Sequence, residues 1–283
     1  MKFYGGRISL LPTHDMLYQI GNEHKFSYVI DILSKPSKFK IRKGASIVIE
    51  PIFDNDILLG GKIGRESNKK IPILQDGVLV KVPTQTYPYV FFFINREEQL
   101  ILVEHNTTAF PDELTVFKHI IKHINRDIWR YGLEVDIKPL TTKGAFWNLV
   151  DNANKIYSIN FILKAPNFLG KIYSNLKDVL NHEKEESNAN QIEYKRSNEA
   201  GELKILPTAF NEQAVGWAED GGGDWVLEIK SSQTSNRKQT YKSQEHLAFF
   251  EVDLELTSAD TESLKQIYNK IDIGNHRIKG SKQ

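Results

Sequence analysis

The segment Tyr87–Glu104, YPYVFFFINREEQLILVE, constrains the fold more than any other part of the chain. Its first run, Tyr87–Ile94, is apolar without alternation, which a strand tolerates only when both faces of its sheet are covered. The second run, Gln99–Glu104, returns after the charged turn Asn95–Glu98, so the two read as a hairpin whose first strand is central. The apolar run is far shorter than the ~20 residues a spanning helix needs, and no membrane insertion is expected. With 283 residues, 40% hydrophobic and 11% aromatic, the chain has enough apolar surface to build a core around such a sheet.

Upstream of this hairpin the chain reads as further strands. Phe26–Leu33, Phe39–Ile41, Ala45–Phe53, Ile57–Ile63 and Val78–Val82 are β-branched or aromatic runs. They are cut by Pro36-Ser37, Asp54–Asp56, Gly60-Gly61 and Asp76-Gly77. Downstream, Asp112 to Tyr131 predicts a long helix, with Asp112 as its cap, Leu114, Phe117, Ile121, Ile124 and Ile128 as its apolar stripe, and Gly132 as its stop. Strands are then expected at Leu133–Pro139, Ile156–Leu163, Gln191–Tyr194, Glu202–Ile205, Asp224–Lys230 and Ala248–Leu256. Helices are expected at Lys143–Ala153, Asn167–His182, Thr208–Glu219 and Ser258–Ile271, and loops at His182–Asn190 and Ser231–Gln244. The pattern predicts an α+β protein: a β-rich N-terminal domain, 1–105, then a C-terminal domain, 106–283, with a mixed sheet and helices packed on one side.

Composition excludes several chemistries. The chain has no cysteine, so disulfides, thiolate nucleophiles, iron–sulfur clusters and cysteine zinc sites are absent. Together with an N-terminus, MKFYGGRISLLPTHD, that lacks a signal-peptide pattern, this predicts a cytoplasmic location. Lys+Arg is 37 against Asp+Glu 36, a formal charge of +1, so any nucleic-acid contact has to come from local patches.

One such patch stands in Lys35–Lys43, KPSKFKIRK. Alternation puts Lys38, Lys40 and Arg42 on one strand face at ~7 Å intervals, with Lys43 next to them, a spacing suited to neutralising phosphates. The bland alternative is a solvated edge that uses lysine against aggregation. Arg237, Lys238 and Lys242 form a second patch, read as a loop. Lys118, Lys122, Arg126 and Arg130 form a helical stripe, and Arg277, Lys279 and Lys282 a basic tail.

Catalytic signals are fewer. Asp224-Trp-Val-Leu-Glu228-Ile-Lys230 resembles the core of the magnesium-dependent PD-(D/E)xK nucleases, in which carboxylates hold the metal and lysine orients water. Its Asp224–Glu228 gap is shorter than that pattern requires. The ordinary reading is a strand with one solvated Glu/Lys face. His119 and His123 have metal-pair spacing on the long helix, but Lys118 and Lys122 flank them and no glutamate follows His119. No catalytic residue, metal ligand or cofactor site is assigned.

The order of elements in YPYVFFFINREEQLILVE, the long helix, LEVDIKP, a helix, INFILKAPN and a late Asp-Gly turn resembles the phage-exclusion family of phage-lambda RexA and related prokaryotic phage-defence families, over Tyr87 to Leu256. That resemblance implies a cytoplasmic homodimer that binds duplex DNA without sequence preference in anti-phage defence, without catalysis of its own. A partner effector protein is compatible with it. The alternatives are the nuclease centred on Glu228 and Lys230, and a protein-only interaction module using the apolar Phe91–Phe93 sheet or its edge.

Overall fold

The computed structural model describes residues 1–13, 25–41, 44–164, 174–187, 189, 191–231, 235–252, and 262, 265, 266, 268 and 269. The fold is α+β. Its first sheet has eight strands. They are β1 (Lys2–Pro12), β2 (Ser37–Lys40), β3 (Ser46–Asp54), β4 (Leu58–Arg65), β7 (Tyr89–Asn95), β8 (Leu100–Glu104), β9 (Leu133–Pro139) and β14 (Phe249–Glu251). The order is β14-β1-β8-β7-β4-β3-β2, with β9 also on β1. This sheet therefore draws strands from both sides of residue 105.

The β7–β8 hairpin forms as its sequence predicts, with Asn95 opposite Leu100. Its central strand is covered on both faces. Val90, Phe92 and Ile94 join the core beneath two helices, α1 (Lys25–Leu33) and α2 (Glu113–Ile128). Phe91 and Phe93 point the other way, into a second cluster with Phe3, Leu102, Phe250 and Tyr268.

Two N-terminal elements differ from expectation. Lys2–Pro12, not among the expected strands, is the long β1 that pairs with β8, β9 and β14. Gly6 serves close packing there: a Cβ would stand 2.8 Å from Ile137 Cγ2 and 3.0 Å from the Phe117 ring. Phe26–Leu33, expected as a strand, lies in helix α1, which buries Phe26, Val29, Ile30 and Leu33. That i, i+3, i+4, i+7 spacing overrides the strand preference of its valine and isoleucines, because it is the face that meets the core.

Helix α2 follows its signals closely. Asp112 accepts a hydrogen bond from Thr115 N at 2.6 Å, and Gly132, at φ 66°, ends the short 3-10 turn after the helix. The buried stripe is rotated from the expected one: Val116, Phe117, Ile120, His123, Ile124 and Ile128 face inward, while Leu114 and Ile121 are half-buried.

The second sheet has four antiparallel strands in the order β11-β10-β12-β13: β10 (Lys155–Lys164), β11 (Gln191–Ser197), β12 (Gly223–Ser231) and β13 (Ser235–Lys242). Three helices cover one face of it: α3 (Ala145–Asp151), α4 (Ser174–Ser187) and α5 (Ala209–Glu219). Phe146, Leu176, Leu180 and Trp217 from those helices share a core with Phe161, Trp225, Leu227 and Ile229 of the strands.

Ser231–Gln244, expected as a loop, contains the edge strand β13. Its polar composition suits an edge, where alternate side chains meet water. His182–Ser187, also expected as loop, continues α4, and Glu202–Ile205 makes an isolated bridge between Glu202 and Ile156 in place of a strand. In the expected helix Ser258–Ile271, Glu262, Lys265, Gln266, Tyr268 and Asn269 are helical, and the remainder lies outside the described residues, as does 167–173 of the expected helix Asn167–His182. Among the described residues no helix is long and apolar enough to cross a membrane.

Candidate nucleic-acid interface

Strand β2 is the edge of the eight-stranded sheet. Alternation buries Phe39 and exposes Lys38 and Lys40. Phe39 stacks on His123 of α2 with centroids 4.9 Å apart and planes 5° from parallel, and Ser37 Oγ lies 3.2 Å from His123 Nε2. The Arg126 guanidinium sits 5.9 Å from the Phe39 ring. The expected helical stripe reaches β2 through Arg126 over Phe39, while alternation turns Lys38 and Lys40 to the opposite side of the strand. Arg42 and Lys43, expected in the same patch, lie outside the described residues, as does the basic tail Arg277, Lys279 and Lys282.

Lys38 donates from Nζ to the Tyr87 hydroxyl at 3.0 Å and lies 5.3 Å from the ring centroid. That hydrogen bond, with the phenol's charge interaction and then Glu66, raises Lys38 above the ordinary lysine value. Glu66 is the local counter-charge. Its carboxylate accepts from Ser46 N at 3.1 Å and from Gln85 Nε2 at 2.7 Å. The Ser46 side chain foremost, then the bonds from Gln85 and the Ser46 amide, hold it below the ordinary glutamate value. Gln85 Nε2 also lies 3.2 Å from the Tyr87 hydroxyl, tying the rim to the element that follows.

That element is a two-stranded ribbon of β5 (Ser67–Gln75) and β6 (Val78–Thr86), which among the described residues pair only with each other. Asp76 and Gly77, at φ 50° and 77°, close it in the conformation of a type I′ turn. The register sorts its side chains into two faces. Ile71, Ile73, Val78, Val80 and Val82 share one face with Lys69. Asn68, Gln85, Lys70, Lys81, Leu74 and Leu79 share the other with the two prolines, Pro72 and Pro83. Through Gln85 this second face runs into Tyr87 and Lys38. Sequence reading recovers only the outer half of β6 and the Asp76-Gly77 turn; the lysines and prolines of β5 hide its period.

The second predicted patch is arranged differently. Arg237, Lys238 and Lys242 are exposed but sit on strand β13, not a loop. Lys238 and Lys242 share the open face of their sheet, and Arg237 lies on the opposite face. Lys238 Nζ pairs with Glu228 Oε1 at 2.8 Å and lies 4.7 Å from the Tyr157 ring. Its charge is partly committed within the sheet.

The nuclease-like residues are also committed. Asp224 Oδ2 accepts from Lys138 Nζ at 2.6 Å, and its Oδ1 accepts from Ser243 Oγ at 3.0 Å and Gln244 Nε2 at 3.3 Å. Glu228 accepts from Ser158 Oγ at 3.2 Å besides its ion pair with Lys238. Lys230 stands opposite Lys238 in the ladder. Among the described residues no three His, Asp or Glu side chains converge as a metal site would require. His123, rather than pairing with His119, is buried against Phe39.

Compared with models of protein families and with curated protein sequences, the chain matches none.

Proposed function

We propose that the protein binds duplex DNA without sequence preference, through the rim formed by β2, Tyr87 and the basic face of the β5–β6 ribbon. The observation that carries this reading is the Lys38–Tyr87–Gln85 chain of contacts, which joins an exposed lysine edge to an unsupported ribbon bearing Lys70 and Lys81. Cations spaced along extended strands neutralise phosphates without reading bases, so the binding is electrostatic and indifferent to sequence. On this reading the protein acts as a cytoplasmic homodimer in phage exclusion or defence, the role implied by its resemblance to the RexA family, and needs no catalysis of its own.

Retention of a random-sequence duplex, measured by fluorescence anisotropy at low and at physiological salt, tests the proposal. Binding that falls steeply with salt and does not depend on sequence supports it. An absence of binding at low salt refutes it. Repeating the assay with Mg²⁺ and scoring cleavage separates it from the nuclease reading. A protein partner is the second reading, favoured by the apolar ribbon face of Ile71, Ile73, Val78, Val80 and Val82.

A further inference from the structure

The tip of the β5–β6 ribbon carries its most exposed apolar side chains, Leu74 at 71% and Leu79 at 74%. They stand directly opposite each other, on the face that carries Lys70 and Lys81. We infer that this leucine pair is a wedge that enters the minor groove of a bound duplex and opens a base step, bending the DNA. The inference rests on the DNA-binding reading above and adds a specific mode to it.

Charge and shape argue together. Lys81 is two residues from Leu79, about 7 Å along the strand, and Lys70 is four from Leu74, about 13 Å. Cations at those distances can hold phosphates beside a groove while the leucines sit within it. Apolar residues of this kind are what minor-groove proteins insert between base pairs, the unstacking being offset by wider contact with the bent duplex. Asp76, which a phosphate would repel, lies in the turn beyond the leucine pair.

The ribbon is also guarded against a competing use. A two-residue turn closes on a hydrogen-bonded pair, here Gln75 and Val78. Counting back along the ladder, Pro72 and Pro83 fall at positions whose amides would point outward. Each outer edge thus lacks a donor, which disfavours addition of a further strand to either side. The faces remain available for binding.

The test uses the full-length protein and a duplex with 2-aminopurine at a central TA step and dyes at its ends. Wild type should raise the aminopurine emission and shorten the end-to-end distance, consistent with a kink of about 20–90°. L74A/L79A should lose both signals while keeping binding and its salt slope. The double variant alters exposed side chains only, and an unchanged melting temperature checks its fold. Wild-type binding with no unstacking and no bend overturns the wedge and leaves the DNA reading intact. A variant that bends DNA as wild type does overturns it equally. If light scattering instead shows L74A/L79A dissociating a dimer with bending unchanged, the pair is a protein contact. Failure of wild type to bind DNA at all removes both readings.

Discussion

Lys138 Nζ lies 2.6 Å from Asp224 Oδ2, and this ion pair joins strand β9 of the eight-stranded sheet to β12 of the four-stranded one. Lys164 pairs with Asp136 across the same junction, and Arg7 Nε donates to the Asp220 carbonyl at 2.9 Å. The polar face of β9, with Asp136 and Lys138, thus lies opposite the one that packs Val135 and Ile137 into the core. Asp224, the first carboxylate of the nuclease-like string, thus helps to hold the two sheets together.

Removing one partner should therefore be costlier than removing both. The side chains of Lys138 and Asp224 are only 18% and 12% exposed. Lys138→Met should cost about 2 kcal/mol, below the 3–5 kcal/mol of a wholly buried pair, because Ser243 and Gln244 still solvate the carboxylate. Lys138→Met with Asp224→Leu should recover part of that loss. Urea unfolding of the two single variants and the double variant measures the coupling; additive costs would show that the pair does not interact.

Helix α2 offers a sharper test of packing. Ile120 is 1% exposed in the core, so Ile120→Ala should cost about 2–5 kcal/mol. Ile121 is half-buried at its margin, and Ile121→Ala should cost clearly less. Asp112→Ala should cost about 1 kcal/mol by losing its bond to Thr115 N. Thermal melts that rank Ile121 above Ile120 would show the helix to be rotated from its position here.

These positions show what the sequence makes legible. The β7–β8 hairpin and the ends of α2 could be read because each rests on local chemistry, an unbroken apolar run in one case and caps in the other. The rotation of the α2 stripe could not, since Leu114, Phe117, Ile121 and Ile124 fit helical spacing as well as Val116, Phe117, Ile120 and Ile124 do. Only contact with β9 and α1 selects between them. Helix α1 shows the same ambiguity between strand composition and helical period. At the candidate interface, the exposure of Lys38 and Lys40 followed from alternation around Phe39. Their junction with the ribbon did not, because it depends on Tyr87 and Gln85 folding back across the sheet edge.

The His123 ring predicts how stability depends on pH. Burial, first, and the nearby Arg126 lower its pKa below the ordinary 6.5, with Asp127 opposing. His119 is shifted the same way by burial, Arg65 and Lys122. A histidine that protonates less readily in the fold takes up a proton on unfolding, so stability is full above pH 6.5 and declines as pH drops below it. His123→Leu should flatten much of that slope, and His119→Gln added to it should flatten it further. Urea midpoints between neutral and mildly acidic pH measure the effect. An unchanged slope in the double variant would show that neither ring reports on folding.

The rim makes the most direct prediction for binding. Lys38 and Lys40 are exposed and turned away from the buried Phe39, so Lys38→Glu with Lys40→Glu should leave the fold intact. Each phosphate contact contributes about 0.9 to the slope of log affinity against log salt, so losing both should flatten that slope by roughly two. Lys238→Glu is the comparison. Lys238 already pairs with Glu228 and lies over Tyr157, so its reversal should disturb β13 more than it disturbs DNA. Anisotropy titrations over a range of salt concentrations, with melting curves for each variant, distinguish the two effects. A Lys38/Lys40 variant with unchanged slope, beside a Lys238 variant that loses DNA, would move the interface from the edge of the first sheet to the edge of the second.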